Sequence, residues 1–198
     1  AGYEWSGPTE RGGDHNIYFP GDGGPLVANG PWDGYEAWDA AQGAHQEKLD
    51  LAETISVLRD YDPMVIPHVG GRCCNFDFFD PEVMPLLEMH SCHRNHEHVA
   101  QDALRRGLRV GFIGGSDDHR GAPGDSRPGA RDRFFSTGSG LVAVYAEELT
   151  RKALWEAFFA RRTYATDGAR MVVDFRVNDV LMGGELSVPA GEPLHFRM

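Results

Sequence analysis

The residues best placed to do chemistry in this sequence are an aspartate and a histidine, Asp117 and His119, which follow an apolar segment. Residues 109–115 read as a buried strand that ends at paired glycines, and strand alternation places Asp117 and His119 on one side of it. A carboxylate oxygen and an imidazole nitrogen together suit Zn, Mn or Fe. The spacing therefore predicts a metal site at the end of this strand.

Further groups of the same kind lie upstream, close to the ends of other apolar segments. His68 follows the apolar residues 64–67, and Glu88 lies within the next apolar segment. Six of the nine histidines fall between His68 and His119. Because the carboxyl ends of parallel strands meet on one face of an α/β protein, we expect these donors to converge there.

The segments that must position these donors alternate between strand-like and helix-like patterns, which predicts an α/β fold. Strands are predicted at residues 16–19, 64–69, 86–89, 109–115 and 141–145, and helices at 45–59, 95–106 and 151–161. Asn95 and Thr150 are the expected helix caps. The expected buried helix positions are Leu51, Ile55, Leu58, Val99, Ala103, Leu104, Leu154, Ala157 and Phe158. Residues 121–138 read as a long surface loop, and the alternation from Met171 onward predicts an antiparallel β appendage.

The amino-acid composition limits the classes of protein to which this sequence can belong. With 198 residues, 41% of them hydrophobic, and a net charge of -11, the sequence predicts a soluble globular protein. Duplex nucleic acid is disfavoured because phosphate binding needs a basic face, and no segment is apolar enough to predict a membrane span. Three cysteines without a disulfide framework and the lack of an export signal favour the cytoplasm. Cys73, Cys74 and Cys92 are expected to fill core space, and a structural zinc site is the weaker alternative.

The order of these motifs resembles the PHP superfamily, the polymerase and histidinol phosphatase metal-dependent hydrolases, and most closely an uncharacterised branch of it. The resemblance covers nearly the whole chain. It rests on residues 2–7 with Glu4, 13–16 with Asp14 and His15, 67–72, 88–93, 115–119, and 146–168.

The resemblance implies part of a distorted (β/α)7 barrel, with residues 1–168 as the hydrolase domain and 169–198 as the start of the β-rich appendage. It also implies one to three divalent metal ions, Zn, Mn or Fe. The implied ligands are Glu4, His68, His93, Asp117 and His119, with His15, Glu88, His90 and Arg120 around them. The superfamily's His-x-His pair on its first strand is not matched, so we expect a fragment that lacks the first strands.

Several of these assignments have open alternatives. His93 is selected among its neighbours by motif register, and His90 and His96 are the other candidates. Glu88 either orients a ligand histidine or ligates the metal directly, since a buried carboxylate needs a partner. His15 is either a pocket residue or a solvated loop histidine.

The implied activity is metal-dependent hydrolysis, with a metal-bound hydroxide as the nucleophile and a phosphate ester as the expected substrate. The expected catalytic residues are Asp117, His119 and Arg72. Arg72 and Arg120 each come after a ligand histidine in the sequence, so their guanidinium groups could hold phosphate oxygens. The alternative is a non-catalytic metal-binding or structural remnant. A polymerase-associated module is a weaker third hypothesis, which the acidic charge opposes.

Overall fold

A computed structural model describes residues 1–27, 49–117 and 140–198 of the chain. Contacts divide it into two compact units, residues 1–84 and 85–198. Within the described residues, no helix has the length and apolar character needed to cross a membrane. The predicted surface loop at 121–138, His119 and Arg120 lie outside the described residues.

The first unit is a three-stranded antiparallel sheet packed on one helix. Strands β1 (Gly2–Trp5), β2 (His15–Tyr18) and β3 (Met64–Pro67) lie in the order β1-β2-β3. Each neighbouring pair is antiparallel, and the register places Glu4 opposite Asn16 and His15 opposite Pro67. The core of this unit consists of Trp5, Ile17, Phe19, Leu51, Ile55, Leu58, Val65, Val83 and Met84.

Helix α1 (Leu51–Leu58) covers this sheet through the apolar stripe that the sequence predicts. Its buried residues include Leu51, Ile55 and Leu58, which recur at helical spacing. Asp50 and Glu53 form a capping box, in which each side chain accepts a hydrogen bond from the other residue's backbone NH, at 2.9 and 2.8 Å. The helix therefore begins at a defined residue, and its position keeps β3 in the core.

The described residues of the second unit form two helices and seven strands. Strands β4 (Leu86–His90) and β5 (Gly111–Gly114) form a parallel pair joined by helix α2 (Glu97–Arg105). Strands β6 (Leu141–Val144) and β7 (Thr163–Thr166) form an antiparallel pair joined by helix α3 (Arg151–Phe159). Strands β8 (Arg176–Val177), β9 (Val180–Leu181) and β10 (Phe196–Arg197) form an antiparallel sheet in the order β10-β8-β9. This last sheet lies where the alternation from Met171 predicted antiparallel β structure.

The described residues form a mixed α/β structure with several small sheets, and no closed barrel is found among them, whereas the expectation was part of a distorted (β/α)7 barrel. The physical reason lies in strand direction. A barrel of this type needs parallel neighbours throughout, whereas β4 and β5 are the one parallel pair in the described part of the chain. The expectation that every strand end meets on one face fails for the first sheet, because adjacent antiparallel strands end at opposite edges.

Three local predictions also need correction. Helix α2 is capped at His96, and Asn95 instead accepts a hydrogen bond from the Glu97 NH at 2.8 Å. Leu104 is 55% exposed, so the buried stripe of α2 is narrower than the periodicity indicates. In α3, Thr150 caps the helix as predicted, but Ala157 alone among the three expected positions is fully buried.

Candidate metal and anion site

In the second unit, two predicted ligands lie side by side. His93 Nε2 is 2.8 Å from Asp117 Oδ2, and both side chains are largely buried. Ligand atoms held about 2.1 Å from one metal at tetrahedral angles are about 3.4 Å apart. The two donors would therefore have to separate by roughly half an ångström to share an ion. Their types fit, because neutral imidazole nitrogen and carboxylate oxygen both bind Zn, Mn or Fe.

The parallel pair β4–β5 places these two residues. His93 follows the end of β4, and Asp117 follows the end of β5. Hydrogen bonds continue beyond the ladder, since the Gly115 NH donates to His90 O at 2.9 Å and the Cys92 NH donates to Ser116 O at 3.2 Å. Parallel strands joined by a helix thus bring two loops, distant in sequence, to one edge of the sheet.

Asp117 is held in an unusual backbone conformation. Its φ is +43°, in the left-handed region that non-glycine residues rarely adopt. The Cys92 thiol donates to Asp117 O at 2.6 Å, and the His93 NH donates to Ser91 Oγ at 3.3 Å. Strain of this kind at a functional group persists where neighbouring contacts support it. Asp117 therefore reaches His93 from a turn, and the predicted strand alternation does not extend to it.

Glu88 and His90 flank this edge. Glu88 is buried, and its carboxylate lies so close to Gly115 that a Cβ there would be 3.1 Å from Oε2. His90 is 9% exposed, and its backbone carbonyl bonds to Gly115. His96 is buried at the start of α2, where its ring packs 5.8 Å from that of His98. Of the three histidines considered for the ligand position, His93 is the one within ion-pair distance of Asp117.

The first unit brings together other predicted residues. His68 follows β3 and is buried, with its NH donating to Asp14 O at 2.9 Å. His15 is on β2 and is buried, so the reading of this residue as a solvated loop histidine is wrong. The pKa of His15 is lowered to about 4, mainly because the imidazole is buried. A hydrogen bond to Gly13 O raises this pKa and the charge of His68 lowers it, and both effects are smaller than that of burial. His15 is therefore a neutral imidazole at physiological pH.

Arg72 has a partner that the sequence did not suggest. Its Nε donates to Asp14 Oδ1 at 2.7 Å, and its backbone NH donates to Asp14 Oδ2 at 2.8 Å. Asp14 is 1% exposed, so its carboxylate depends on these donors. The sequence signal for this contact is a pair of glycines before Asp14 and another before Arg72, because paired glycines often mark positions where two backbone segments approach closely.

Glu4, one of the implied metal ligands, is exposed on β1 and accepts a hydrogen bond from Ser6 Oγ at 3.2 Å. Cys74 and Cys92 are buried and Cys73 is exposed, and none of these three described cysteines is in a disulfide. The two buried thiols fit the expected core-filling role. Cys73 does not, because it is at the surface.

Comparison with known proteins found a family model, several uncharacterized relatives and a solved structure that are similar to parts of this chain. A family model described as a protein of unknown function (DUF3604) matches residues 126–179. An uncharacterized protein of Chlamydia pneumoniae is 38% identical over 162 residues, a match that covers 70% of this chain and 26% of that protein. One from Chlamydia trachomatis is 36% identical over 139 residues, covering 57% of this chain and 21% of that protein. The chain thus spans about a quarter or less of the curated relatives it matches.

One solved structure also resembles the chain. It is a two-domain protein from Bacteroides vulgatus that contains a predicted PHP-like metal-dependent phosphoesterase. The TM-score is 0.46 and the identity 15%, over 83% of this chain and 43% of that one. The similarity is weak.

Proposed function

We propose that the chain is part of a metal-dependent hydrolase that acts on phosphate esters. The observation that carries this proposal is the His93–Asp117 pair, with Nε2 and Oδ2 2.8 Å apart at one edge of a parallel strand pair. A histidine and a carboxylate in contact and largely out of water form the core of many divalent metal sites. The buried carboxyl group of Glu88 beside Gly115 adds oxygen atoms that can bind a metal ion or orient a ligand at the same edge.

The proposed ligand set extends beyond this pair. His68, His93 and Asp117 each offer one ligand atom suited to a metal ion. We propose that His68, Glu4 and His119 also serve as metal ligands. His15, Glu88 and His90 are proposed to surround the ligands and orient them.

A divalent ion in this position supplies two effects, a lowered pKa for the water it binds and polarisation of a phosphoryl oxygen. The chain's own residues would then bind and orient the substrate. Arg72 and Arg120 are proposed to contact phosphate oxygens, because guanidinium groups match the geometry of that anion. Since the whole chain carries a charge of -11, these local positive charges must offset a surface that repels anions.

Metal binding is tested first. The purified chain is stripped with a chelator and titrated with Zn²⁺, Mn²⁺ and Fe²⁺, alongside Asp117→Asn and His93→Gln. Loss of a direct ligand should weaken binding by about 100-fold or more in each variant. The matched control is His195→Gln, an exposed histidine in the same unit. Wild-type affinity in both ligand variants would contradict the proposal.

Turnover is tested on a panel of phosphate monoesters and diesters with each metal. Activity that requires metal and falls in both ligand variants supports the hydrolase. Tight metal binding that depends on His93 and Asp117, without turnover of any ester, would instead support the non-catalytic metal-binding protein. Equal activity in stripped and loaded protein would refute a metal-dependent reaction.

A further inference from the structure

The second unit contains a cavity of about 620 Å³ between β5, β7 and the turn that follows β9. Most of its lining is apolar, and the side chains that form it include Leu108, Val110, Phe112, Val173, Phe175 and Met182. A cavity of several hundred cubic ångströms with apolar walls and a few polar groups is the usual form of a small-molecule site. The walls of this cavity therefore suit the apolar part of a small ligand.

Two glycines bring the segments around this cavity into direct contact. A Cβ on Gly111 would lie 2.8 Å from Thr163 Oγ1 and 3.1 Å from Arg161 Cα, so the start of β5 lies against the start of β7. Gly183 has a φ of +86°, and a Cβ there would lie 2.3 Å from Ala160 O, so the turn after β9 lies against the end of α3. Backbone segments in such close contact favour a preformed cavity.

Three of the described side chains that line the cavity are charged, and they form one cluster. Arg109 Nη2 forms an ion pair with Glu185 Oε1, and Arg161 Nη2 is 3.5 Å from the same oxygen. Two guanidinium groups thus share one carboxylate, which leaves one positive charge in the lining, although the whole chain has a net charge of -11. A single positive charge beside apolar walls is complementary to a ligand with an apolar body and one negative charge.

The backbone position of Arg161 is one that favours glycine, since its φ is +57°. The Arg161 NH donates to Phe158 O at 2.9 Å and the Arg162 NH donates to Ala157 O at 3.0 Å, the hydrogen-bond pattern of a Schellman motif at the end of α3. Helix α2 ends in the same pattern, but the corresponding residue there is Gly107, with a φ of +77°. An arginine is thus held where glycine is the unstrained choice, and strain of this kind often accompanies function.

We propose that this cavity binds a small amphipathic monoanion, a carboxylate with an aliphatic chain. The carboxylate of this ligand contacts Arg161, and its chain lies against the apolar walls. Glu185 makes the same kind of contact with Arg161, so the side chain of Glu185 competes with the ligand. The site lies within the second unit and needs neither a metal ion nor a phosphate group. This inference is therefore independent of the proposed function.

Calorimetric titration with linear carboxylates from acetate to octanoate tests the apolar part of the site. Each CH₂ group that becomes buried should raise the affinity, by about fourfold where burial is complete. Acetate also shows any binding that depends on the carboxylate alone, including binding to a metal ion. Equal affinities for acetate and octanoate, or no octanoate binding by the folded chain, would overturn the proposal.

Two variants change the charge of the cluster in opposite directions. Arg161→Gly removes a guanidinium group and relieves the backbone strain, so octanoate affinity should fall about tenfold while stability to urea stays the same or rises. Glu185→Gln removes the competing carboxylate, so octanoate affinity should rise about threefold. Because Glu185→Gln leaves the Schellman motif intact, it tests the site even if Arg161→Gly does not fold.

The controls separate the charge from the chain. Octanol has the same aliphatic chain without the charge, so its affinity should be the same in wild type, Arg161→Gly and Glu185→Gln. Arg105→Gln removes an exposed arginine of α2 in the same unit and should leave octanoate affinity unchanged. If octanoate affinity in Arg161→Gly and Glu185→Gln equals that of the wild type, the arginine cluster does not bind the carboxylate and the proposal is wrong.

Discussion

The buried imidazole of His15 should make the first unit sensitive to acid in the metal-free protein. Burial lowers its pKa from 6.5 to about 4, so between these values an unfolded chain binds a proton that the folded chain does not. The free energy of unfolding is therefore unaffected by this group above about pH 6.5 and falls as the pH is lowered towards 4.

The size of the effect follows from the two pKa values. One pKa unit corresponds to about 1.4 kcal/mol, so His15 should cost the folded state about 2 kcal/mol between pH 7 and pH 5. The total would approach about 3 kcal/mol at lower pH. Losses of this size are a large share of the stability of a small domain.

The assay is urea unfolding of the chelator-treated protein at several pH values, compared with His15→Gln. Pulsed hydrogen exchange at one fixed labelling pH, read by mass spectrometry on peptides from β1 to β3, reports on the first unit alone. Because other groups titrate in both proteins, the informative quantity is the stability difference between wild type and variant. When the pH is lowered from 7 to 5, the free energy of unfolding of the wild type should fall by about 2 kcal/mol relative to that of His15→Gln. A difference that does not change with pH would refute the reasoning.

Three further predictions concern single contacts. Cys92→Ala removes the thiol that donates to Asp117 O, and it should weaken metal binding about tenfold in a metal titration. Cys73→Ala, at an exposed cysteine, should leave metal binding unchanged. Asp50→Ala removes the N-cap of α1 and should lower the free energy of unfolding by about 1 kcal/mol in urea titrations, and an unchanged midpoint would contradict the capping role. Leu87→Ala in β4, which is fully buried, should cost about 2–5 kcal/mol by the same measurement, and a loss below about 1 kcal/mol would mean that the site collapses around the smaller residue.

Local patterns predicted most of the elements, because burial repeats at short range. The stripe of Leu51, Ile55 and Leu58 is visible in sequence and is buried in the structure. Strand β1 was missed, since Gly2–Trp5 is short and its burial depends on pairing with β2. The prediction that Leu104 is buried was wrong for a related reason. Helical periodicity indicates which residues share a face, but the residues that cover this face come from elsewhere in the chain.

The candidate site was predictable where motif order carried the information. Asp117 was predicted from its position after a strand and His93 from the motif register of the resemblance, and the structure places Nε2 of His93 2.8 Å from Oδ2 of Asp117. The pair of Asp14 and Arg72 could not be found in this way. The two residues are 58 positions apart, and the glycine pair before each of them indicates a close backbone approach without indicating which segment approaches.

The backbone of Asp117 differs from the extended strand that the sequence pattern predicted. Strand alternation predicted that Asp117 would point from an extended chain, yet β5 ends at Gly114 and Asp117 has a φ of +43°. In that conformation the direction of its carboxylate depends on the turn, and the turn is held by bonds from Cys92 to Ser116 and Asp117. The ligand and its support thus come from two different loops of the parallel pair. It follows that the two loops constrain each other, so a change at Cys92 should move the Asp117 carboxylate without touching it.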